Sequence, residues 1–186
     1  MTQVEVCNLA LGWIGSELIT SIDDQATPAR LCKASWATTR DAILEAREWS
    51  FAIRRFQLAP DATAPAFGWV RRFAIPSTVL RVLRCLDLDG EPVDWQREGA
   101  YIVSDELTIN MLALVRIETT ADLPASFGHA LAARLAADLA IPVADSAKLQ
   151  VAMWNLYGHK LAEAAGLDAM QGRATITRGP GLSRVR

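Results

Sequence analysis

The sequence contains few side chains whose type and spacing could support chemistry. Its two histidines, His129 and His159, lie in different helical stretches, without an HExxH pattern or a nearby pair of cysteines. A zinc site needs several nitrogen or sulfur ligands at matched spacing. The histidines therefore predict no metal site.

Acidic side chains are the next candidates. The run Asp87–Glu91 is similar to the start of a calcium loop but lacks the later ligands, and a hairpin turn explains it better. The pair Asp23-Asp24 lies in a polar loop, and the spacing of the sequence identifies no second catalytic or metal-binding side chain for it. The sequence also lacks a nucleophile elbow, a P-loop and a Rossmann glycine pattern. We predict that the protein is not an enzyme and has no catalytic residues, metal or cofactor.

Arginines on or beside the predicted strands are the most suggestive polar group, because the acids concentrate in helices and turns. These arginines are Arg54, Arg55, Arg71, Arg72, Arg81, Arg84 and Arg116. One interpretation is the polar face of an antiparallel sheet. The other is a basic surface that meets an acidic partner or passing phosphates. The sequence leaves both open.

Composition limits the class of protein. A chain of 186 residues has the size of one domain, and 51% hydrophobic residues exclude general disorder. A net charge of −2 gives no overall basic field for nucleic acid or anionic membrane. The three cysteines lack CxxC spacing and suit a reducing compartment. We see no stretch with the roughly 20 apolar residues of a membrane helix.

The elements that must position these side chains begin with two helices. Helical spacing of apolar residues predicts a short helix through residues 4–14. A longer helix starts at Thr27-Pro28, with Thr27 as N-cap and Pro28 at the first helical position. It leads into the segment Arg40–Leu58, where the apolar period changes from helix to strand. We expect Trp49 and Phe51, at this switch, to hold a helical layer against a sheet.

Residues 51–120 then predict an antiparallel meander. Its strands fall within 51–56, 67–76, 78–88, 93–97, 101–104 and 107–119, separated by turn signals. Two more helices follow. The first is stopped by Pro142, and the last is capped by Asp145 or Ser146 and ended by Gly166.

The predicted fold class is α+β, with about four helices packed on an antiparallel β-meander and a flexible C-terminal tail. We expect one domain over residues 1–166, helical in 1–50 and 124–166 and β-rich in 51–120. Residues 167–186 have no core-forming period, and we expect an extended basic tail there.

The run REWSFAIRR, within Arg40–Phe56, resembles the helix-to-strand junction of phage tail tubular protein A, the head-to-tail adaptor of short-tailed phages. The segment FGWVRRFAIPSTVLRVL is similar to that family's aromatic strand, Leu/Ile-Pro and "LRV" segment. Ile75-Pro76 and Leu80-Arg81-Val82 occupy those places, with Ser77-Thr78 where Ala-Asp is common. The opening ALGWIGSELITSIDD also resembles the family's N-terminus. Together these matches cover nearly the whole chain.

The resemblance implies a virion structural protein, made in the host cytoplasm and placed in the neck of the particle. Such adaptors form a ring, usually dodecameric, that joins the portal to the tail nozzle and extends the DNA channel. The expected partners are the portal protein, the next tail component and other copies of the chain, with DNA passing without sequence-specific binding and no membrane. The alternative is a small DNA-binding or packaging accessory protein. A carbohydrate-acting tail enzyme would need a paired-carboxylate cleft.

We place the portal contact in the C-terminal segment. Its candidate residues are Arg173, Ile176, Arg178, Leu182, Arg184 and Arg186. Arginines could pair with portal carboxylates, and spaced apolar residues could anchor an extended strand. The other interpretation of the segment is an unstructured, solubilising end.

Overall fold

The computed structural model describes residues 1–171. Within that range the α-helices are α1 (Gln3–Trp13), α2 (Thr27–Ala46), α3 (Ala125–Ala144) and α4 (Ala147–Ala169). The strands are β1 (Ile53–Leu58), β2 (Arg71–Ala74), β3 (Val79–Leu86), β4 (Gln96–Glu98), β5 (Tyr101–Ser104) and β6 (Ile109–Val115). The predicted α+β class is confirmed, with four helices and antiparallel strands.

The strands form two small sheets and not one meander. Sheet A has the order β1-β6-β3, and sheet B has the order β2-β5-β4. Both sheets are antiparallel, but β6 pairs with two strands that come much earlier in the chain. The strand predicted at 93–97 is found at Gln96–Glu98, and an isolated bridge joins Leu86 to Pro92 before it.

Helix α3 lies at the centre of the helical layer. Apolar residues recur at every fourth position of α3, and all of them are buried: Phe127, Leu131, Leu135 and Leu139. Helices α1, α2 and α4 all pack against it. The expectation that no segment is long and apolar enough to cross a membrane is wrong by length and composition, since Ala125–Ala144 qualifies. It has the burial of a core helix, with 61% of its most apolar window inside the protein.

The segment between α2 and β1 is a compact junction. Trp49 is buried, and its ring meets Phe127 of α3 edge-on at 5.2 Å between centroids. The ring of Phe51 also contacts the ring of Phe127, with 5.3 Å between their centroids. The two aromatic side chains therefore fix the end of α2 against another helix, α3, where a sheet contact was predicted.

Two predicted helix ends are corrected here, at Thr27 and Pro142, and the predicted choice between Asp145 and Ser146 as cap of the last helix is settled as Ser146. The residue before α2 is Ala26, without a side-chain cap, so Thr27 is the first helical residue. Pro142 lies inside α3, because it removes only one N–H and bonds from Asp145 N and Ser146 N close the last turn. Helix α4 begins after Ser146, whose side chain accepts from the backbone N–H of Leu149 as a cap does.

Helix α4 also continues past Gly166, its predicted end, to Ala169. The carboxylate of Asp168, in the last turn of α4, accepts hydrogen bonds from the backbone N–H and the hydroxyl of Ser50. This contact ties the end of α4 to the junction and explains why the helix does not stop at the glycine.

Candidate functional site

Two of the strand arginines hold distant parts of the chain together. Arg72 pairs with Asp61 at 2.9 Å, and its guanidinium lies 4.4 Å from the centre of the Tyr101 ring. Arg116 pairs with Asp41 of α2 at 2.7 Å, and Asp41 also binds Arg40 at 2.8 Å. Because their charges are satisfied, Arg72 and Arg116 are structural residues.

Three more arginines are used by the fold. Arg81 lies 3.8 Å from Glu48, a weak pair across the junction. Arg54 donates to the carbonyl oxygens of Phe51 and Ile53.

The last of these three is Arg71, which donates to the carbonyl oxygen of Asp105 at 2.7 Å. The same arginine lies 3.4 Å from the carbonyl oxygen of Glu106. It therefore holds the loop between β5 and β6, and its charge is available only in part.

Arg55 and Arg84 remain. Within residues 1–171 neither guanidinium makes an ion pair or a hydrogen bond, and both residues are exposed. Both are paired in register with Leu112 of β6, so the three side chains form one row across sheet A. The row places half-buried Leu112 between two guanidinium groups that have no partner in the described part of the chain.

We call the surface around this row the arginine face, defined by Arg55, Gln57, Arg84, Leu86, Asn110 and Leu112. An open cavity of about 500 Å³ lies over part of it and is lined by Arg55, Gln57, Leu86, Asn110 and Leu112, while Arg84 lies outside the cavity on the same row as Leu112. The amide of Gln57 lies 3.4 Å from that of Asn110, which donates to the backbone carbonyl of Asp87. No carboxylate lines the cavity among the described residues, so the face can bind an anion with an apolar part.

The turn after β3 is the acidic neighbour of this face. Asp87–Glu91 contains three carboxylates and no basic residue. The side chain of Asp87 accepts from the backbone N–H groups of Asp89 and Glu91, and Gly90 has a φ of 91°. Leu88 is 66% exposed at its tip. The hairpin-turn interpretation of Asp89-Gly90 is confirmed by this geometry.

A second cavity, of about 440 Å³, lies between sheet B and the segment before β2. It is lined by Pro65, Phe67, Arg72, Glu98 and Tyr101, among others. Because Asp61 already neutralises Arg72, this cavity offers less charge than the arginine face.

The residues considered for metal or thiol chemistry are dispersed. His129 lies on α3 and His159 on α4, and residues 1–171 hold no group of three metal-ligating side chains. Cys7, Cys32 and Cys85 are all buried free thiols. A hydrogen bond with Cys32, together with burial, raises the pKa of Cys7 above its usual range, and burial raises the pKa of Cys85 to about 12. Cys7 and Cys85 are therefore poor nucleophiles in the folded protein, whereas the hydrogen bond with Cys7 lowers the pKa of Cys32.

The predicted portal-contact residues lie outside the described range. They are Arg173, Ile176, Arg178, Leu182, Arg184 and Arg186. The structure instead brings together a site that the sequence did not single out, Arg55 and Arg84 around Leu112. Strand alternation alone could have separated Arg55 from Arg54, but the pairing with β6 was needed to place Arg84 beside them.

Comparisons with known proteins leave the family open: no family model matches the chain, and a search of curated proteins finds no match.

Proposed function

We propose that this chain is a virion structural protein, the subunit of a head-to-tail adaptor ring in a short-tailed phage. The ring, dodecameric as in the family that the sequence resembles, would join the portal to the tail nozzle and prolong the DNA channel. The subunit would do no chemistry of its own. Its work would be to present surfaces to the portal, to the next tail component and to its neighbours.

The segment that carries the resemblance supports this proposal. Arg40–Phe56 includes the end of α2, the junction with buried Trp49, and the start of β1. The motif thus coincides with the point where the helical layer joins sheet A, as expected for residues that maintain a shared architecture. The four-helix α+β body also matches the predicted element order.

The test is a native mass measurement of the purified chain, alone and mixed with the cognate portal protein. We expect monomers or small, weak assemblies of the chain alone and a closed ring bound to the portal in the mixture. Electron microscopy of the mixture would give the number of subunits. A chain that never associates with the portal would refute the proposal, as would turnover of a polysaccharide that is lost when one carboxylate is changed.

A second candidate is a small DNA-binding or packaging accessory protein. Arg55 and Arg84 favour it, since neither makes an ion pair or a hydrogen bond within the described residues. Two phosphate contacts would give duplex-DNA affinity a slope near −2 against the logarithm of salt concentration. Fluorescence anisotropy with labelled duplex should then show binding that Arg55→Ala and Arg84→Ala both weaken. If the chain does not bind duplex DNA even at low salt, this second candidate is refuted.

A further inference from the structure

We propose that the arginine face binds the Asp87–Glu91 turn of a second copy of this chain, and that the second copy returns the same contact. The pair would have twofold symmetry, with one turn seated on each face. The argument rests on the charge and apolar pattern of the two surfaces and on the rigidity of the turn.

Across the strands, the arginine face has a positive side chain on each side of an apolar one. Arg55, Leu112 and Arg84 lie on three adjacent strands, so about 5 Å separates each backbone from the next. Leu86 extends the apolar part along β3 toward the turn. A bare phosphate backbone would satisfy the guanidinium groups but would leave Leu112 and Leu86 against a charged strand.

The turn presents the opposite pattern. Leu88 projects into solvent between two acids, Asp87 and Asp89, and Glu91 follows. The carboxylates of Asp89 and Glu91 make no hydrogen bond or ion pair within residues 1–171. Leu88 can cover the apolar part of the face while these two carboxylates meet the guanidinium groups.

The turn is held in a single shape before any contact. Asp87 N donates to the carbonyl oxygen of Glu91 at 2.9 Å, and Asn110 donates to that of Asp87 at 2.8 Å. These bonds fix the backbone of the turn beside Asn110. A rigid turn loses little conformational entropy on binding.

The position of the turn favours a reciprocal contact. It follows β3 directly, so it borders the same cavity that Leu86 and Asn110 line. A twofold axis next to the turn would place the turn of each copy on the arginine face of the other copy. The same contact would then be made twice in the dimer. Such self-complementary contacts are the commonest way in which identical chains associate.

The experiment is sedimentation equilibrium of the full chain from micromolar to millimolar concentration, in low and high salt. We expect a monomer–dimer equilibrium, with a species of twice the subunit mass, that weakens several-fold at high salt. Arg84→Glu or Asp89→Arg should each weaken association at least about tenfold, because each places like charges opposite one another. Circular dichroism confirms that each variant is folded.

Mixing the two variants supplies the decisive comparison. In the mixture, the native turn of R84E meets the native face of D89R, and the reversed face meets the reversed turn. Dimers should therefore form in the mixture although neither variant forms them alone. Lys148→Glu and Glu17→Arg, exposed charges elsewhere on the surface, are the matched controls and should leave the equilibrium unchanged.

A wild-type chain that stays monomeric to millimolar concentration would overturn the inference, even if Arg84→Glu weakened binding to DNA or to portal. Variants that fail to complement each other would overturn it too, as would larger open assemblies in place of dimers. The inference does not depend on the adaptor proposal, since the chain can form this pair whether or not it binds a portal.

Discussion

The indole Nε1–H of Trp49 donates to the carbonyl oxygen of Ile43 at 2.9 Å, across the end of α2. This bond satisfies a carbonyl that the helix itself leaves unpaired at its C-terminus. It also turns the Trp49 ring toward Phe127, so one side chain both ends α2 and fills the core.

Trp49→Ala should therefore lower the free energy of unfolding by about 3–5 kcal/mol, because it leaves a cavity and an unpaired buried carbonyl. Trp49→Phe should cost less, since an aromatic ring still packs on Phe127. Urea denaturation measures both. Trp154→Ala, at a partly exposed tryptophan on α4, is the control and should cost clearly less. Equal losses at the two tryptophans would contradict the prediction.

Asp41 should be the most costly acid to remove in the helical layer. Its carboxylate binds Arg40 and Arg116, and the Arg40 side chain is only 8% exposed. Asp41→Ala leaves a largely buried guanidinium without a counter-charge, and we expect a loss of about 3 kcal/mol in unfolding free energy. Asp23→Ala, which breaks the exposed pair with Lys33, should change it by about 0.5 kcal/mol. The measurement is chemical denaturation of both variants.

The contact between Asp168 and Ser50 predicts local order at the end of α4. Asp168→Ala removes two hydrogen-bond acceptors from Ser50. Amide hydrogen exchange in the last turn of α4 should become faster while exchange in α3 stays the same. Glu163→Ala, on the exposed side of α4, should leave both regions unchanged. Unaltered exchange in D168A would show that packing alone orders the helix end.

The Cys85 thiol predicts a loss of stability at alkaline pH. Burial raises its pKa to about 12 in the folded protein, whereas an unfolded thiol ionises near pH 8.5. The folded chain thus keeps a proton that the unfolded chain loses, and stability falls as pH rises above about 9. Urea denaturation at pH 8 and pH 10.5 should show a smaller fall for Cys85→Ala than for the wild type. Parallel falls would contradict the assignment.

The C-terminal segment has its own test. Deleting residues 172–186 removes Arg173, Arg178, Arg184 and Arg186 and no acidic side chain. If these arginines pair with portal carboxylates, the truncated chain should bind the portal more weakly and with less dependence on salt. Surface plasmon resonance over a salt series measures both. Full-strength binding by the truncated chain would show that the portal contact lies elsewhere.

Local signals in the sequence predicted the helices well. Apolar spacing located all four, and Ser146 was among the two caps considered. The errors lie where a distant contact or a single residue decides the end of a helix. Gly166 has a strong tendency to end helices. Helix α4 nevertheless continues, because Asp168 accepts a hydrogen bond from Ser50, and these two residues are 118 positions apart in the sequence.

Strand order and the roles of the arginines were harder to predict for the same reason. The period of two shows that residues 53–58 and 109–115 are strands, but nothing local says that they pair. Arg116 pairs with Asp41, which is 75 residues away in the sequence, and Arg72 pairs with Asp61, which is 11 residues away. Only after these pairs are known do Arg55 and Arg84 stand out as the two of the seven strand arginines that have no partner within residues 1–171.

The central place of β6 in sheet A governs the order in which the chain can fold. Among the strands of residues 1–171, β1 and β3 are each paired with β6 alone, and β6 is synthesised after both. Until residue 115 has left the ribosome, their backbone N–H and C=O groups have no strand to pair with, and β1 and β3 are open edges. A nascent chain arrested before β6 should be prone to aggregate or to bind chaperones, while one that includes β6 can close the sheet at once.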